Sequence, residues 1–588
     1  MSGNSKSRQI AFYGKGGIGK STVAANVAVA LAEMGLKVFQ MGCSPKVDST
    51  SLLLGGKIIE HDILGHLKGG TTGEKGLQEC IVEGYRGVLC AESGGPEPAT
   101  GCAGKGVSYA LDVLSNLRIL EKLGVDIVIY DVIGDVVCGG FAQPIRTGYA
   151  QEIYIISSGE LMSVYSANNI CAAVKAVSET KRNAARVGGI IDNMRGVKQE
   201  RELLEEFASR IGVPLLAHIP RSPVVQEAEG EGGTVLERRP DSPQGAVYRE
   251  LAQNILDNSE TVIPSPLELE EILELLRRHQ DDKVPSAVEP TAIASSTSFP
   301  APAVVKETKA SPERNLRKIA IYGKGGIGKS TISANLSAAL SHMGENVMQV
   351  GCDPKRDSIS TLCGKLVPTI LDQLQDGVIN EERLRQVIHQ GYNGIWGVES
   401  GGPKPGLGCA GGGVMEALRL LEEHNIFQKY GISFALFDVL GDVVCGGFAQ
   451  PMRAGYAREV YIVTCGETLT LLQINNIARS IRKIQERGAD CACAGLINNM
   501  RGIPNEDKIV EEVAALMGLP LVAHIPRSDT VQASEFLAQT VVQAYPDSAQ
   551  AEVYRELAHR ILENDTVYIP NAISLKEIKP IVQKYVGE

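Results

Sequence analysis

Along the chain, short apolar runs alternate with helical patterns. Arg8–Tyr13, Lys37–Met41, Asp126–Tyr130 and Glu152–Ile156 are largely apolar and rich in β-branched or aromatic residues. Continuous apolar runs of this length predict strands buried on both faces. Lys20–Met34 instead carries Ala and Val at helical spacing and predicts a packed helix. Strands alternating with helices predict an α/β architecture, with a mostly parallel sheet flanked by helices.

The pattern then repeats. Residues 10–26 read IAFYGKGGIGKSTVAAN and residues 319–335 read IAIYGKGGIGKSTISAN, 14 identities in 17. Residues 130–150 and 437–457 agree at 17 of 21 positions around DV(I/L)GDVVCGGFAQP. The offset falls from 309 to 307 between the two motifs, so the unit is a whole domain written twice, not a solenoid repeat. Leu267–Gln280 predicts a closing helix, acidic at its start and with Arg277, Arg278 and His279 at its end. The following Pro/Ala/Ser/Thr-rich stretch predicts a flexible linker over 281–315, on average about 30–35 Å end to end as a coil. The expected organisation is a first domain over 1–280, this linker, and a second domain over 316–588.

Composition narrows the partners. Lys and Arg number 58 against 69 Asp and Glu, a net charge of −11, which argues against a nucleic-acid or polybasic membrane binder. No run of about 18 uninterrupted apolar residues occurs, and the N-terminus has no apolar signal core. The expected location is cytoplasmic, with no nucleic-acid and no membrane partner. Thirteen cysteines are then core thiols, metal ligands or catalytic thiols, not a disulfide framework.

Gly14-Lys15-Gly16-Gly17-Ile18-Gly19-Lys20-Ser21 and Gly323-Lys324-Gly325-Gly326-Ile327-Gly328-Lys329-Ser330 follow a predicted strand and open a predicted helix. That is the phosphate-binding P-loop context: glycines let backbone N–H groups converge on phosphate at a helix N-terminus. Lys20 and Lys329 would meet the β/γ-phosphates of ATP or ADP. Ser21 and Ser330 would bind Mg²⁺, with Thr22 and Thr331 beside them. The additional Lys15 and Lys324 resemble the signature lysine of nucleotide-switched dimeric ATPases, which implies that each reaches the other copy's nucleotide. The expected fold is therefore two P-loop NTPase domains arranged as a pseudo-symmetric dimer. Asp48 and Asp357 in P-K-x-D-S, and Asp131 and Asp438 at strand ends, are the candidate Mg²⁺ and water-orienting carboxylates. One position separates the copies: Ser44 stands where the second has Asp353. Serine is no carboxylate base, so hydrolysis is expected at the second site and binding at the first.

Cysteine occupies only three positions in both copies: 43/352, 102/409 and 138/445. The first pair ends a strand and reads as packing. Cys102 and Cys138 sit among glycines 36 residues apart, as do Cys409 and Cys445. Two thiolates per copy give the four that a cubane cluster needs.

These residues together resemble the nitrogenase iron protein and its nitrogenase-like relatives. The resemblance rests on YGKGGIGKST, GC(S/D)PKxDS, ESGGP…GCAG and DVxGDVVCGGFAQPxR, then Ala167–Ile170, His218–Arg221 and His524–Arg527. It implies one [4Fe-4S] cluster held by Cys102, Cys138, Cys409 and Cys445, and MgATP-gated electron delivery to a larger nitrogenase-like catalytic protein. A ferredoxin or flavodoxin is implied as upstream donor. By the same resemblance Asn193, Asn499, Pro220, Arg221, Pro526 and Arg527 are adenine-pocket positions, and Asp135 and Asp442 belong to the switch. The family's docking-face arginine after GCAG is Lys105 in one copy and Gly412 in the other, which points to an acceptor other than the nitrogen-fixing enzyme. The alternative functions are an iron–sulfur scaffold or metal-insertion ATPase, distinguished by cluster loss to an apo-acceptor, and a spatial-positioning ATPase, which has no use for paired cysteines.

Overall fold

The computed structural model describes residues 7–68, 74–95, 103–132, 145, 149–180, 185–279, 316–354, 356–374, 380–402, 410–440, 450–453 and 456–586. The expected linker lies outside them.

Each copy builds one eight-stranded sheet. In the first, β1 (Arg8–Gly14), β2 (Val38–Cys43), β3 (Val82–Glu83), β4 (Leu89–Glu92), β5 (Ile127–Val132), β6 (Glu152–Ser157), β7 (Arg186–Asn193) and β8 (Leu215–Ile219) lie in the order β3-β4-β2-β5-β1-β6-β7-β8. The second repeats that order with β9 (Arg317–Gly323), β10 (Val347–Cys352), β11 (Ile388–Gln390), β12 (Trp396–Glu399), β13 (Phe434–Val439), β14 (Glu459–Thr464), β15 (Ala492–Asn499) and β16 (Leu521–Ile525). Only the short edge strands β3 and β11 pair antiparallel. β2 and β5 are buried at every residue, as parallel strands covered on both faces must be.

Strand order creates the site. β1 lies between β5 and β6, with Phe12 opposite Asp131 and Gly14 opposite Ile156. From β1 the chain passes to β2 on one side, while β6 lies on the other, so loops diverge at the carboxyl end of β1 and open a crevice there. The helix Lys20–Glu33 that follows is almost wholly buried from Val23 to Leu31 and packs against the helix Pro243–Asp257. Its small residues allow that double coverage; Lys329–His342 and Ala549–Glu563 repeat it. The closing helix runs Leu269–Arg278, shorter than the apolar pattern suggests, because Glu268 and Glu271 form a capping box that starts it later. Among the described residues, no helix is long and apolar enough to cross a membrane.

Candidate functional site

The loop after β1 is shaped for phosphate. Gly19 adopts φ +97°, and a Cβ there would also meet the Asn193 amide at 2.5 Å; Gly328 repeats both features against Asn499. Only glycine fits such a position. Asn193 donates to the Ile18 carbonyl at 2.6 Å, and Asn499 to Ile327 at 2.6 Å. Arg195 donates to the Gly17 carbonyl and Arg501 to Gly326. Each loop is thereby tied to the end of β7 or β15. Lys20, 7% exposed, donates its ammonium to the carbonyls of Gly14 and Lys15 at 3.0 Å each. Lys329 donates to Lys324 O at 3.2 Å. Both ammonium groups thus lie along the loop that would receive phosphate.

Asp131 and Asp438 end at the adjacent strands β5 and β13 and are buried. Burial pushes both carboxyls up; hydroxyls including Ser21 and Ser330, and the ammonium groups of Lys20 and Lys329, pull them back. Ser49 donates to Asp131 Oδ2 at 2.6 Å, while Oδ1 is buried without a hydrogen-bond partner. An unsatisfied carboxylate oxygen beside the P-loop serine suits a hard divalent cation. Mg²⁺ is a cation of that kind, usually taking one or two carboxylates plus phosphate oxygens. Asp48 and Asp357 are half-buried and raise the pKa of these buried acids by like charge.

A pair of acids that no sequence expectation places in the site lies just behind. Glu92, fully buried, accepts from the Thr50 N–H and hydroxyl at 2.8 Å each. Burial raises it to about 8, with Asp48 and Asp131 adding to the rise. Glu399 takes the same place in the second copy and accepts from Ile359 N–H at 2.8 Å. Sequence offered one signal, the ESGGP shared by both copies.

The two P-loops face each other. An added Cβ on Gly326 would sit 3.2 Å from Gly16 O, and one on Gly17 would sit 3.8 Å from Gly325 O. Lys15 pairs within its own copy with Glu160 at 3.4 Å, and Lys324 with Glu467 at 3.5 Å. Each also acts across the boundary. Burial raises the pKa of Glu229, which accepts from Thr22 at 2.5 Å, and Lys324 opposes the rise; burial likewise raises Glu535, which accepts from Thr331 at 2.7 Å, and Lys15 opposes it. Glu160, Glu229 and their counterparts read as ordinary helix glutamates in sequence, and nothing but their repetition marks them.

Asn193 pairs in register with Ile219, and Asn499 with Ile525, so Pro220-Arg221 and Pro526-Arg527 follow on the neighbouring strand ends. Those four residues are exposed at the site's rim. Cys102, Cys138, Cys409, Cys445, Asp135 and Asp442 lie outside the described residues. The elements beside them are described. Helices Ala103–Asn116 and Ala410–Glu423 each begin one residue after a candidate ligand, and β5 and β13 end at Val132 and Val439. The nine described cysteines are buried or half-buried, and burial pushes their thiols up. That is the behaviour of inert core thiols, not of thiolate ligands.

Twin phosphate loops on duplicated sheets, each with a second lysine and a carboxylate at the neighbouring strand end, define a paired P-loop nucleotide-binding protein. The chain belongs to the 4Fe-4S iron sulfur cluster binding proteins, NifH/frxC family, which matches it twice, over residues 8–281 and 317–587. The nitrogenase iron protein of Methanospirillum hungatei JF-1 is 48% identical over 272 residues, 46% of this chain and 96% of that one. Nitrogenase iron protein 2 of Methanothermococcus thermolithotrophicus is 47% identical over 277 residues, 45% of this chain and 94% of its own. Among solved structures, the cell division ATPase MinD of Pyrococcus furiosus is similar over 43% of this chain and 99% of its own, with 22% identity and a TM-score of 0.34. A ParA family ATPase from Chlorobium tepidum TLS is similar over 43% and 99%, with 21% identity and a TM-score of 0.34.

Proposed function

We propose that the chain is an ATP-dependent reductase that delivers low-potential electrons to a larger nitrogenase-like catalytic protein. The observation that carries this reading is the apposition of the two P-loops, with Gly326 packed on the Gly16–Gly17 backbone. Nucleotide entering either loop must change that contact. In each copy the same crevice holds the strand end, Asp131 or Asp438, that leads seven residues on to Cys138 or Cys445. A shift of the strand end would therefore be passed along the chain to a cluster ligand.

Residue roles follow. Backbone N–H groups from Gly14 to Ser21 and from Gly323 to Ser330 bind phosphate, and Lys20 and Lys329 exchange loop carbonyls for phosphate oxygens. Ser21 with Asp131, and Ser330 with Asp438, hold Mg²⁺. Lys15 and Lys324 leave Glu160 and Glu467 to meet the nucleotide of the opposite copy. Cys102, Cys138, Cys409 and Cys445 hold one [4Fe-4S] cluster. The starts of Ala103–Asn116 and Ala410–Glu423 favour thiolate at the residues preceding them. When bound, the cluster supplies single electrons at low potential. A ferredoxin or flavodoxin would be the upstream donor, and the acceptor docks near exposed Lys105, which follows a candidate ligand by three residues.

Anaerobic protein loaded with iron and sulfide tests this reading. One-electron reduction should give a half-integer spin signal that changes shape on adding MgATP. MgATP should also speed removal of iron by a chelator. A cluster indifferent to MgATP, or one handed intact to an apo-acceptor, would sink the reductase reading.

A further inference from the structure

The two nucleotide sites are not chemically equal. After β2 stands Ser44, 6% exposed, whose hydroxyl accepts from the Lys46 N–H at 3.2 Å. After β10 the matching residue is Asp353, half-buried. Its charge adds to those of Asp357 and Asp438 around buried Glu399. Among the described residues the second site thus holds one carboxylate more than the first.

The loops that carry these residues are also held differently. Arg356 sits at φ +62° between Lys355 and Asp357. Its guanidinium forks onto Asp372, with nitrogens 2.8 and 2.7 Å from the two carboxylate oxygens. Asp372 in turn accepts from Thr369 N–H at 3.0 Å, and its own N–H donates to the Thr369 hydroxyl at 3.2 Å. In the first copy Val47 takes the arginine's place with nearly the same backbone, φ +58°. Gly94 packs on Asp62 as Gly401 packs on Thr369, so Gly65 takes the place of Asp372. The first loop has the same bend without the clamp. A bidentate arginine–carboxylate pair fixes orientation as well as distance, and it is present where the extra acid is.

We infer that ATP hydrolysis is confined to the second copy's site. Asp353 takes the proton of the attacking water, Arg356 and Asp372 position its loop, and Lys15 of the first copy completes the site from across the boundary. The first copy's site binds MgATP without turning it over. In the step, water oxygen bonds to the γ-phosphorus as the bond to the β,γ-bridging oxygen breaks. ADP leaves with that oxygen, and the proton passes through the Asp353 carboxylate to solvent or phosphate. Lys15 belongs here because its loop faces the second P-loop, where a Cβ on Gly326 would sit 3.2 Å from Gly16 O, and Glu535, which its charge reaches, accepts from Thr331, the residue after Ser330. The inference rests on the nucleotide-switch part of the proposed function and not on its electron transfer.

The test is phosphate release and nucleotide counting on the full chain. Asp353→Asn should lower phosphate release at least about 100-fold, while equilibrium dialysis still finds two nucleotides per chain. A fall to about one half, the expectation for two equal independent sites, would overturn the inference, and so would loss of one bound nucleotide. Arg356→Ala should lower kcat about tenfold with KM for ATP nearly constant, and Arg356→Lys should recover part of it. A rise in KM at constant kcat would make the clamp a binding device and overturn its positioning role. Lys15→Ala should cost far more turnover than Lys324→Ala; equal losses would overturn the assignment across the boundary. Phosphate release is read whether or not electrons move, so failure of the reductase reading leaves these results interpretable.

Discussion

His218 Nδ1 lies 2.8 Å from Asp192 Oδ2, whereas the matching His524 Nδ1 lies 3.0 Å from the amide of Asn498. The same strand-end contact thus pairs histidine with a carboxylate in one copy and with an amide in the other. Burial raises Asp192 to about 7; its bond to His218 opposes the rise, and nearby Glu200 adds to it. A carboxyl whose folded pKa exceeds its unfolded value stabilises the fold at low pH and loses that contribution as pH climbs to the folded value. Asp192→Asn should therefore gain stability over the parent as pH rises from about 4 to 7 and then hold the gain, at most about 4 kcal/mol. Melting curves at pH 5 and pH 8 check this; an equal shift at both would show that the carboxyl does not titrate in that range.

Lys20 and Lys329 bear on binding more than on folding. Each is buried against loop carbonyls, and each ammonium opposes the rise that burial imposes on its aspartate. Lys20→Ala should remove one of two bound nucleotides, and Lys329→Ala the other, with affinity at the altered site falling at least about 100-fold. Titration calorimetry with MgADP counts the sites. Both nucleotides lost from either single variant would mean that the sites fill only together.

Gly19 and Gly328 make a conformational prediction. Alanine at either must hold φ +97° and move the Asn193 or Asn499 amide, which an added Cβ would approach to 2.5 Å. Left-handed backbone costs a non-glycine residue about 1–2 kcal/mol, and the displaced amide loses its 2.6 Å bond to the P-loop. Gly19→Ala should destabilise the first copy by about 2–3 kcal/mol and weaken its nucleotide binding. Chemical denaturation measures the first part; an unchanged midpoint would show that the loop relaxes without cost.

Much of this was legible in the residues because buried parallel strands leave apolar runs. Arg8–Tyr13 reads one residue short of β1, and Lys37–Met41 begins one residue before β2 and ends two short of it. The loss at β2 is instructive: Gly42 and Cys43 look like loop chemistry but pair with Asp131 and Val132, and Gly42 is glycine because Glu92 fills the space of its side chain. The P-loops were legible because their function fixes their spelling. Glu92 and Glu399 were not, since an acid buried beside other acids has no periodic signature. Nor were Arg195, Glu160 and Glu229, whose partners lie more than a hundred residues away or in the other copy. Physical contacts between the copies leave no local trace in sequence; only the repetition of the whole pattern hints at them.

The cysteines give the most direct prediction. Cys102 and Cys409 immediately precede the helices Ala103–Asn116 and Ala410–Glu423, while Cys363 is a half-buried thiol raised by its surroundings to about 11. If one cluster is shared by both copies, each of its four ligands is indispensable in the same way, because a cubane lacking a thiolate is open to solvent and loses iron. Serine at Cys102, Cys138, Cys409 or Cys445 should each lower iron content by a similar large fraction, whereas Cys363→Ser should leave it unchanged. Iron and acid-labile sulfide analysis of anaerobically prepared protein, with phosphate release as a check of folding, makes the comparison. A loss of only half the iron from a single variant would point to a separate iron centre in each copy and would contradict one shared cluster.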